Sequence, residues 1–149
     1  MPDAAASAAL CHCQAIRQAA RRVSALYDAA LASHGLRVSQ YAVLARLESD
    51  GPRGIQALAA ALVMDRTTLG RALRPLERDG LVRLEHDPAD RRGRRLALTE
   101  AGRARLAGAH PAWAAAQARF ENQFGSERAA GLHAELSAVQ AATNPRAAR

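Results

Sequence analysis

The apolar residues between positions 65 and 99 change period, and the rest of the chain is arranged around that change. Leu69, Ala72, Leu73 and Leu76 recur at i, i+3, i+4 and i+7, the apolar stripe of an amphipathic α-helix. The opposite face carries Arg66, Thr67, Gly70, Arg71, Arg74 and Arg78. Asp65 is a good N-cap, with Thr67 and Thr68 in the first turn. Asp79-Gly80 stops the helix, and Gly80 suits a left-handed position just past its end. Pro75 falls inside the pattern, removes one intrahelical hydrogen bond and is a place for the last turn to kink. Residues 81–86 and 94–99 then show strand character and predict an antiparallel hairpin around the polar, turn-forming stretch 87–93.

Upstream, Ile16, Ala20, Val23, Tyr27 and Ala30 recur at alternating spacings of four and three. This heptad-like seam predicts a helix over about 11–33, closed by Gly35. Its apolar face reads equally as core or as contact with a partner subunit. A second helix is expected with Ser39 as N-cap and Tyr41, Val43, Leu44 and Leu47 inside, ending at 50–52. Residues 54–56 suit a short edge strand pairing with the hairpin, 57–63 a short Ala-rich helix, and Met64 the tight turn before Asp65. Downstream, Thr99 caps a long helix from Glu100 in which Leu106, Trp113 and Phe120 are seven apart and Ala109, Ala116 and Phe124 follow the same side. Pro111 is a point where that helix can kink or divide, and Gly125 breaks it. Ser126 is the expected cap of a last helix to about 142, with Leu132, Leu136 and Val139 apolar.

Helix, short strand, helix, turn, helix, hairpin is the winged helix-turn-helix order. The predicted fold is therefore mainly α with a small β-hairpin: a winged helix-turn-helix at 36–99 plus terminal dimerisation helices at 11–35 and 100–142. Residues 1–10 and 143–149 are expected to be disordered. A small winged-helix core cannot easily bury the terminal stripes, which implies a two-fold homodimer with interlocked terminal helices.

Composition sharpens this picture. A chain of 149 residues suits a single domain, and abundant Ala with 3% aromatics favours helices packed through small side chains. No apolar run is long enough to span a bilayer, and the first residues lack the features of a secretion signal, so no membrane partner and a cytoplasmic location are expected. Net charge is +7, and all 21 basic residues are Arg. Residues 53–105 hold 12 Arg against 7 acidic residues, +5 of that total. Such a patch suits phosphate contact and steering, or simply a solvated surface. It coincides with a helix that fits a DNA major groove and an arginine-tipped hairpin that can reach the neighbouring minor groove. No Gly-rich phosphate loop, well-spaced metal motif or nucleophile with base and orienter is found, which argues against an enzyme and against a cofactor.

Three pieces of this stretch occur in a specific order and spacing: Leu76-Glu77-x-x-Gly80-Leu81-Val82, Asp87-x-x-Asp90-Arg91-Arg92, and Leu96-x-Leu98-Thr99-x-x-Gly102. Together they resemble the winged helix-turn-helix of the MarR family of bacterial transcription regulators, and with the flanking helices the resemblance covers roughly residues 11–142. It implies a sequence-specific regulator, usually a repressor, that binds a pseudo-palindromic operator in double-stranded DNA as a homodimer. The two recognition helices would lie about one DNA turn (~34 Å) apart. Thr67, Thr68 and Arg71 match base-contacting positions; Arg bonds guanine bidentately and a Thr methyl contacts thymine. Arg66 and Arg74 suit phosphates. Arg92 matches the wing arginine of the minor groove. Asp90 is expected to brace the wing against an arginine such as Arg74 or Arg78. Arg91 and Arg94 are candidates for the DNA backbone, with a solvated charge as the equal alternative for them and for Arg95. The competing class is a non-specific architectural DNA-binding protein, against which the base-edge chemistry of Thr67, Thr68 and Arg71 argues.

Cys11-His12-Cys13 is the most unusual local feature. Two cysteines in a cytosolic chain argue against a structural disulfide. The trio offers soft metal ligands, yet residues i and i+2 of a helix point apart and His34, His86, His110 and His133 are scattered, so no metal is expected. The resemblance suggests a second reading. Organic-peroxide sensors of the family carry a reactive Cys near the start of the first helix and a Tyr fourteen residues later, the spacing of Cys13 and Tyr27. Those sensors have Tyr where this chain has Arg17, whose charge one turn away still favours a thiolate; Cys11 would be the resolving thiol. A third reading is two buried small apolar residues. If the thiols are inert, the family habit of binding aromatic acids between the DNA lobe and the dimer helices makes Arg17, Arg21, Tyr27, His34 and Tyr41 candidate lining residues, the arginine pair suiting a carboxylate.

Overall fold

The computed structural model describes residues 11–144, the side chain of Arg91 excepted. The disorder expected at 1–10 and over most of 143–149 falls outside the described residues, as does any contact of the Arg91 side chain.

Among the described residues, six helices and three short strands follow the predicted order. Helix α1 spans His12–Leu31 and passes into a 3-10 turn, Ala32–His34. Helix α2 is Val38–Asp50, strand β1 Arg53–Gly54, helix α3 Ile55–Ala61, and helix α4 Arg66–Arg78. Strands β2, Val82–Asp87, and β3, Asp90–Leu98, form the hairpin; helices α5, Glu100–Phe124, and α6, Ser126–Ala142, complete the chain. The antiparallel sheet has the order β1-β3-β2, with Arg53 opposite Leu96 and Val82 opposite Leu98. Mostly helical with a small three-stranded sheet, this is the winged-helix architecture.

The α4 stripe enters the core as its period dictates. Leu69, Ala72, Leu73 and Leu76 are all buried, against Val43, Leu44, Leu58, Leu96 and Leu98. Each fully buried Leu contributes ~1.5–3 kcal/mol relative to exposure. This one core fixes the orientation of α4 and the base of the hairpin together. Helix α5 buries only Gly102, Ala109 and Ala116, and its Trp113 packs at the edge of the same core. No residue of helix α6 is fully buried within the chain. Ile16 on α1 and Leu136 and Val139 on α6 remain 43%, 38% and 41% exposed.

Several boundaries differ from the sequence reading, each for a local reason. The N-cap of α2 is Arg37, not Ser39. Two carboxamide and carboxylate oxygens satisfy the free N–H groups there: Gln40 Oε1 accepts from Arg37 N–H at 2.8 Å, and Asp28 Oδ1 on α1 accepts from Val38 N–H at 2.7 Å. The N-cap of α6 is Gly125, whose φ of 98° lets the chain turn sharply, so Ser126 is already helical. Val63, not Met64, makes the tight turn before α4, at φ 51°. Strand β1 begins one residue earlier than expected and ends at Gly54, after which α3 starts directly. Neither Pro75 nor Pro111 divides its helix. The hairpin turn is shorter than 87–93: β3 already begins at Asp90, and a register shift beside His86 and Asp87 absorbs the extra residues.

Candidate nucleic-acid interface

The entry of α4 is built by one carboxylate. Asp65 Oδ1 accepts from Thr68 N–H at 2.7 Å, and Oδ2 accepts from the Thr68 hydroxyl at 2.8 Å. These two bonds hold the Asp65 carboxyl below its ordinary range, with the charge of Arg71 adding to the effect. The Thr68 hydroxyl therefore gives its proton to the cap. Thr67 and Arg71 are exposed beside it, and Arg66 and Arg74 flank them. A β-carbon built on Gly70 meets nothing within 4 Å, so bare backbone separates Arg66 from Arg74 on this surface.

The wing tip is set by two further aspartates. Asp87 Oδ1 accepts from Ala89 N–H and Asp90 Oδ1 from Arg92 N–H, each at 2.9 Å. Both are local side-chain turns of the kind Asp favours. This corrects the expected brace from Asp90 to Arg74 or Arg78. Asp90 holds the backbone that carries Arg92, while Arg78 pairs with the neighbouring Asp79 at 2.9 Å. Gly93 completes the tip, since a β-carbon there would lie 3.0 Å from Asp90 Cβ and 3.1 Å from Asp87 Cβ.

The arginines around this surface fall into two groups. Arg46 and Arg53 share Asp50, Arg83 and Arg95 share Glu85, and Arg103 pairs with Glu48. Hydrogen bonds from Arg95 and then Arg83 hold Glu85 below its usual range, and half-buried Arg95 is thereby a structural charge. Arg66, Arg71, Arg74, Arg92 and Arg94 are exposed and have no ion-pair partner among the described residues. These five lie on the outer face of α4 and on the wing. An uncompensated, exposed set of guanidiniums fits a polyanion.

The base of the wing is locked to α5 by Thr99 and Gly102. Thr99 Oγ1 accepts from Gly102 N–H at 3.0 Å and donates toward the carbonyls of Gly80 and Leu81 at 2.7 and 3.0 Å. A β-carbon on Gly102 would sit 2.1 Å from the Leu81 oxygen. The sequence motif contained both residues, but only the packing shows that they join the end of α4 to the long helix α5.

The candidate sensor residues are not gathered in one place. Cys11 is the N-cap of α1 and Cys13 lies in its first turn, both exposed rather than buried. Tyr27 is on the same continuous helix, so the fourteen residues separating it from Cys13 amount to ~21 Å of rise. The two cannot meet within one chain. Instead, the Tyr27 hydroxyl donates to Gln117 Oε1 on α5, and Gln117 Nε2 donates to Glu121. Desolvation and then the Glu121 charge push the Tyr27 phenol up from its ordinary value. Tyr41 stacks on Trp113 with centroids 5.6 Å apart, and its hydroxyl meets His110 Nδ1 at 2.9 Å. Tyr27 and Tyr41 thus fill a shared aromatic cluster around Trp113 rather than an open pocket. Arg17 and Arg21 are exposed farther along α1, and His34 offers its carbonyl to Arg105. An open cleft of about 530 Å³ lies elsewhere, between α1, the start of α2 and the end of α4. Asp28, Leu36, Arg37, Gln40, Pro75 and Arg78 are among its walls. Among the described residues, no group of three or more His, Cys, Asp or Glu is placed to hold a metal, and no helix is long and apolar enough to cross a membrane.

The model of the MarR family matches residues 36–93. The transcriptional regulator HosA of Escherichia coli O111:H- is 49% identical over 74 residues, 48% of this chain and 53% of HosA, so the chain spans about half the length of that relative. The transcriptional regulator MosR of M. tuberculosis, in complex with DNA, is 36% identical, with a TM-score of 0.74 over 89% of this chain and 98% of MosR. The transcriptional repressor CouR, bound to a 23-mer DNA duplex, is 28% identical, with a TM-score of 0.78 over 87% of this chain and 92% of CouR.

Proposed function

The chain belongs to the MarR family, and we propose that it is a transcription regulator, a repressor, that binds a pseudo-palindromic operator in double-stranded DNA as a homodimer. It is not an enzyme, and it acts where the chromosome is, in the cytoplasm. The observation that carries the reading is the division of the arginines. Those in ion pairs hold the fold, whereas Arg66, Arg71, Arg74, Arg92 and Arg94 stand uncompensated on the recognition helix and the wing. Thr67, Thr68 and Arg71 read base edges, Arg66, Arg74 and Arg94 hold phosphates, and Arg92 enters the minor groove. Residues 36–99 are the DNA-binding region, and 11–35 with 100–142 form the dimer. The apolar residues that α1 and α6 leave exposed within one chain support that pairing. A non-specific architectural role is the weaker reading, because it has no use for the threonines at the tip of α4.

Two release routes fit the chain. In the first, an organic hydroperoxide takes two electrons from the thiols of Cys11 and Cys13. The products are a disulfide, an alcohol and water, and the first turn of α1 must unwind or a second chain must supply one thiol. In the second, a small aromatic acid enters the cleft beside α4, where its carboxylate takes the place of Asp28 on Arg37 or of Asp79 on Arg78.

Footprinting on the region upstream of the chain's own gene tests the proposal. Two protected half-sites related by a dyad support it, and uniform protection of any sequence contradicts it. Repeating the footprint with peroxide, then with excess thiol, tests the first route: loss and recovery select the cysteines, and indifference removes them as the sensor.

A further inference from the structure

Gly70 stands in the middle of the recognition helix, where a glycine is costly. Inside a helix it gives up more backbone freedom than any other residue and ranks well below Ala. The fold has no use for it there. Its φ is outside the positive region that Gly35, Gly51, Gly80 and Gly125 occupy, and the helix continues past it to Arg78. No neighbour presses on it: a β-carbon built there meets nothing within 4 Å, whereas one on Gly102 strikes the Leu81 carbonyl. Alanine would therefore fit at this position and would hold the helix better. Gly108 on α5 and Gly131 on α6 are equally clear of neighbours; what sets Gly70 apart is its place. It lies one turn from Arg66 and one turn from Arg74, three residues from Thr67 and next to Arg71. These side chains are exposed. The two flanking arginines, ~12 Å apart along the helix axis, have no ion-pair partner among the described residues.

We propose that Gly70 is the point at which the recognition helix comes closest to a DNA strand, and that its missing side chain serves specificity by letting the short side chain of Thr67 reach a base edge. This rests on the operator-binding reading above. A strand whose phosphates are held by Arg66 on one side and Arg74 on the other crosses the helix over Gly70. A β-carbon there would stand between the helix backbone and that strand. Arginines are long and flexible, and they still reach phosphates from a helix held slightly farther out. Thr67 ends two bonds from its backbone and has no such reserve. Base reading therefore depends on the close approach, whereas phosphate binding does not. Close passage of backbone and ligand is the gain that offsets the lost helix stability.

The test compares the full-length wild type, Gly70→Ala and Gly70→Leu. Each is titrated into a labelled duplex from the region upstream of the chain's own gene, and into a random duplex of the same length at the same salt. Gly70→Ala should melt about 2–4 °C higher than the wild type, because alanine is the better helix former. It should bind the upstream duplex about tenfold more weakly, the scale of one mismatched base pair, and the random duplex within about twofold of the wild type. Gly70→Leu, also a good helix former but a larger obstacle, should lose more on the upstream duplex while still melting above the wild type. Wild-type affinity of Gly70→Ala for the upstream duplex would overturn the inference alone. So would equal losses on both duplexes, which would assign the glycine to phosphate contact. A lower melting temperature in both variants would overturn it too, by showing that the fold requires the glycine. A wild type that does not distinguish the two duplexes would instead overturn the sequence-specific reading on which the inference rests.

Discussion

Gly102 lies against Leu81 so closely that a β-carbon on it would fall 2.1 Å from the Leu81 carbonyl oxygen and 2.6 Å from a methyl of Leu98. The obstacle is backbone at the foot of the wing, tied by Thr99 to the same carbonyl, so it cannot swing aside. Gly102→Ala is therefore expected to destabilise by about 3 kcal/mol or more, the upper range for overpacking. Thermal unfolding should show the midpoint lowered by roughly 6–12 °C. An unchanged midpoint would mean that α5 can lift off the wing without cost.

Asp65 caps the recognition helix with both carboxylate oxygens, and its pKa is lowered in the folded chain. A depressed carboxyl contributes stability above its unfolded pKa and loses it as pH falls through the folded value. Asp65→Ala should thus melt below the wild type at neutral pH, and the gap should close as the solution is acidified through and below the ordinary carboxylate range. A gap independent of pH would show that the cap does not depend on the charge.

On the outer face of α4, Arg71→Ala should weaken operator binding by roughly 1–3 kcal/mol and relax preference at one base position, whereas Arg74→Ala should weaken all sequences alike and reduce the salt slope by about one. Titrations of an operator and its single-base variants at several salt concentrations distinguish the two. Identical behaviour of both variants would remove the division between base and phosphate contacts.

Arg92 is carried on a tip shaped by Asp87, Asp90 and Gly93. Arg92→Ala should cost affinity chiefly on operators whose flanks are A·T-rich with a narrow minor groove. Flank preference unchanged from the wild type would take Arg92 out of that groove.

The Tyr27 hydroxyl is engaged by Gln117, one long helix away from Cys13. Tyr27→Phe should leave the rate of peroxide-driven thiol loss within about twofold of the wild type, since thiolate reactivity follows its immediate surroundings. Slower loss, followed by thiol titration, would place the tyrosine of a second chain at the thiol.

What the sequence disclosed depended on the range of the interaction. The stripe Leu69, Ala72, Leu73, Leu76, the Asp65 cap, the Gly80 stop and the Thr99 cap are decided within a few residues, and the structure bears them out. Ser39 misled as a cap because the groups that satisfy the start of α2 are Gln40 and the distant Asp28. Asp90 misled as a brace because its own tip offered a nearer donor, the Arg92 N–H. The basic patch was countable from sequence, but its partition into paired and free arginines required Asp50, Glu85 and Glu48 to be set in space. Arg105 carried no signal at all, since the carbonyl it reaches, that of His34, lies 71 positions away in the chain. The spacing of Cys13 to Tyr27 matched a family pattern, yet a continuous helix holds them apart.

The most direct test of the central claim is fluorescence anisotropy of a labelled duplex from the upstream region, against a random duplex of the same length and at the same salt. A sequence-specific regulator predicts binding at least about 10³-fold tighter to the upstream duplex. Equal affinity for both duplexes would reduce the five free arginines to a general attraction for phosphate and contradict the account.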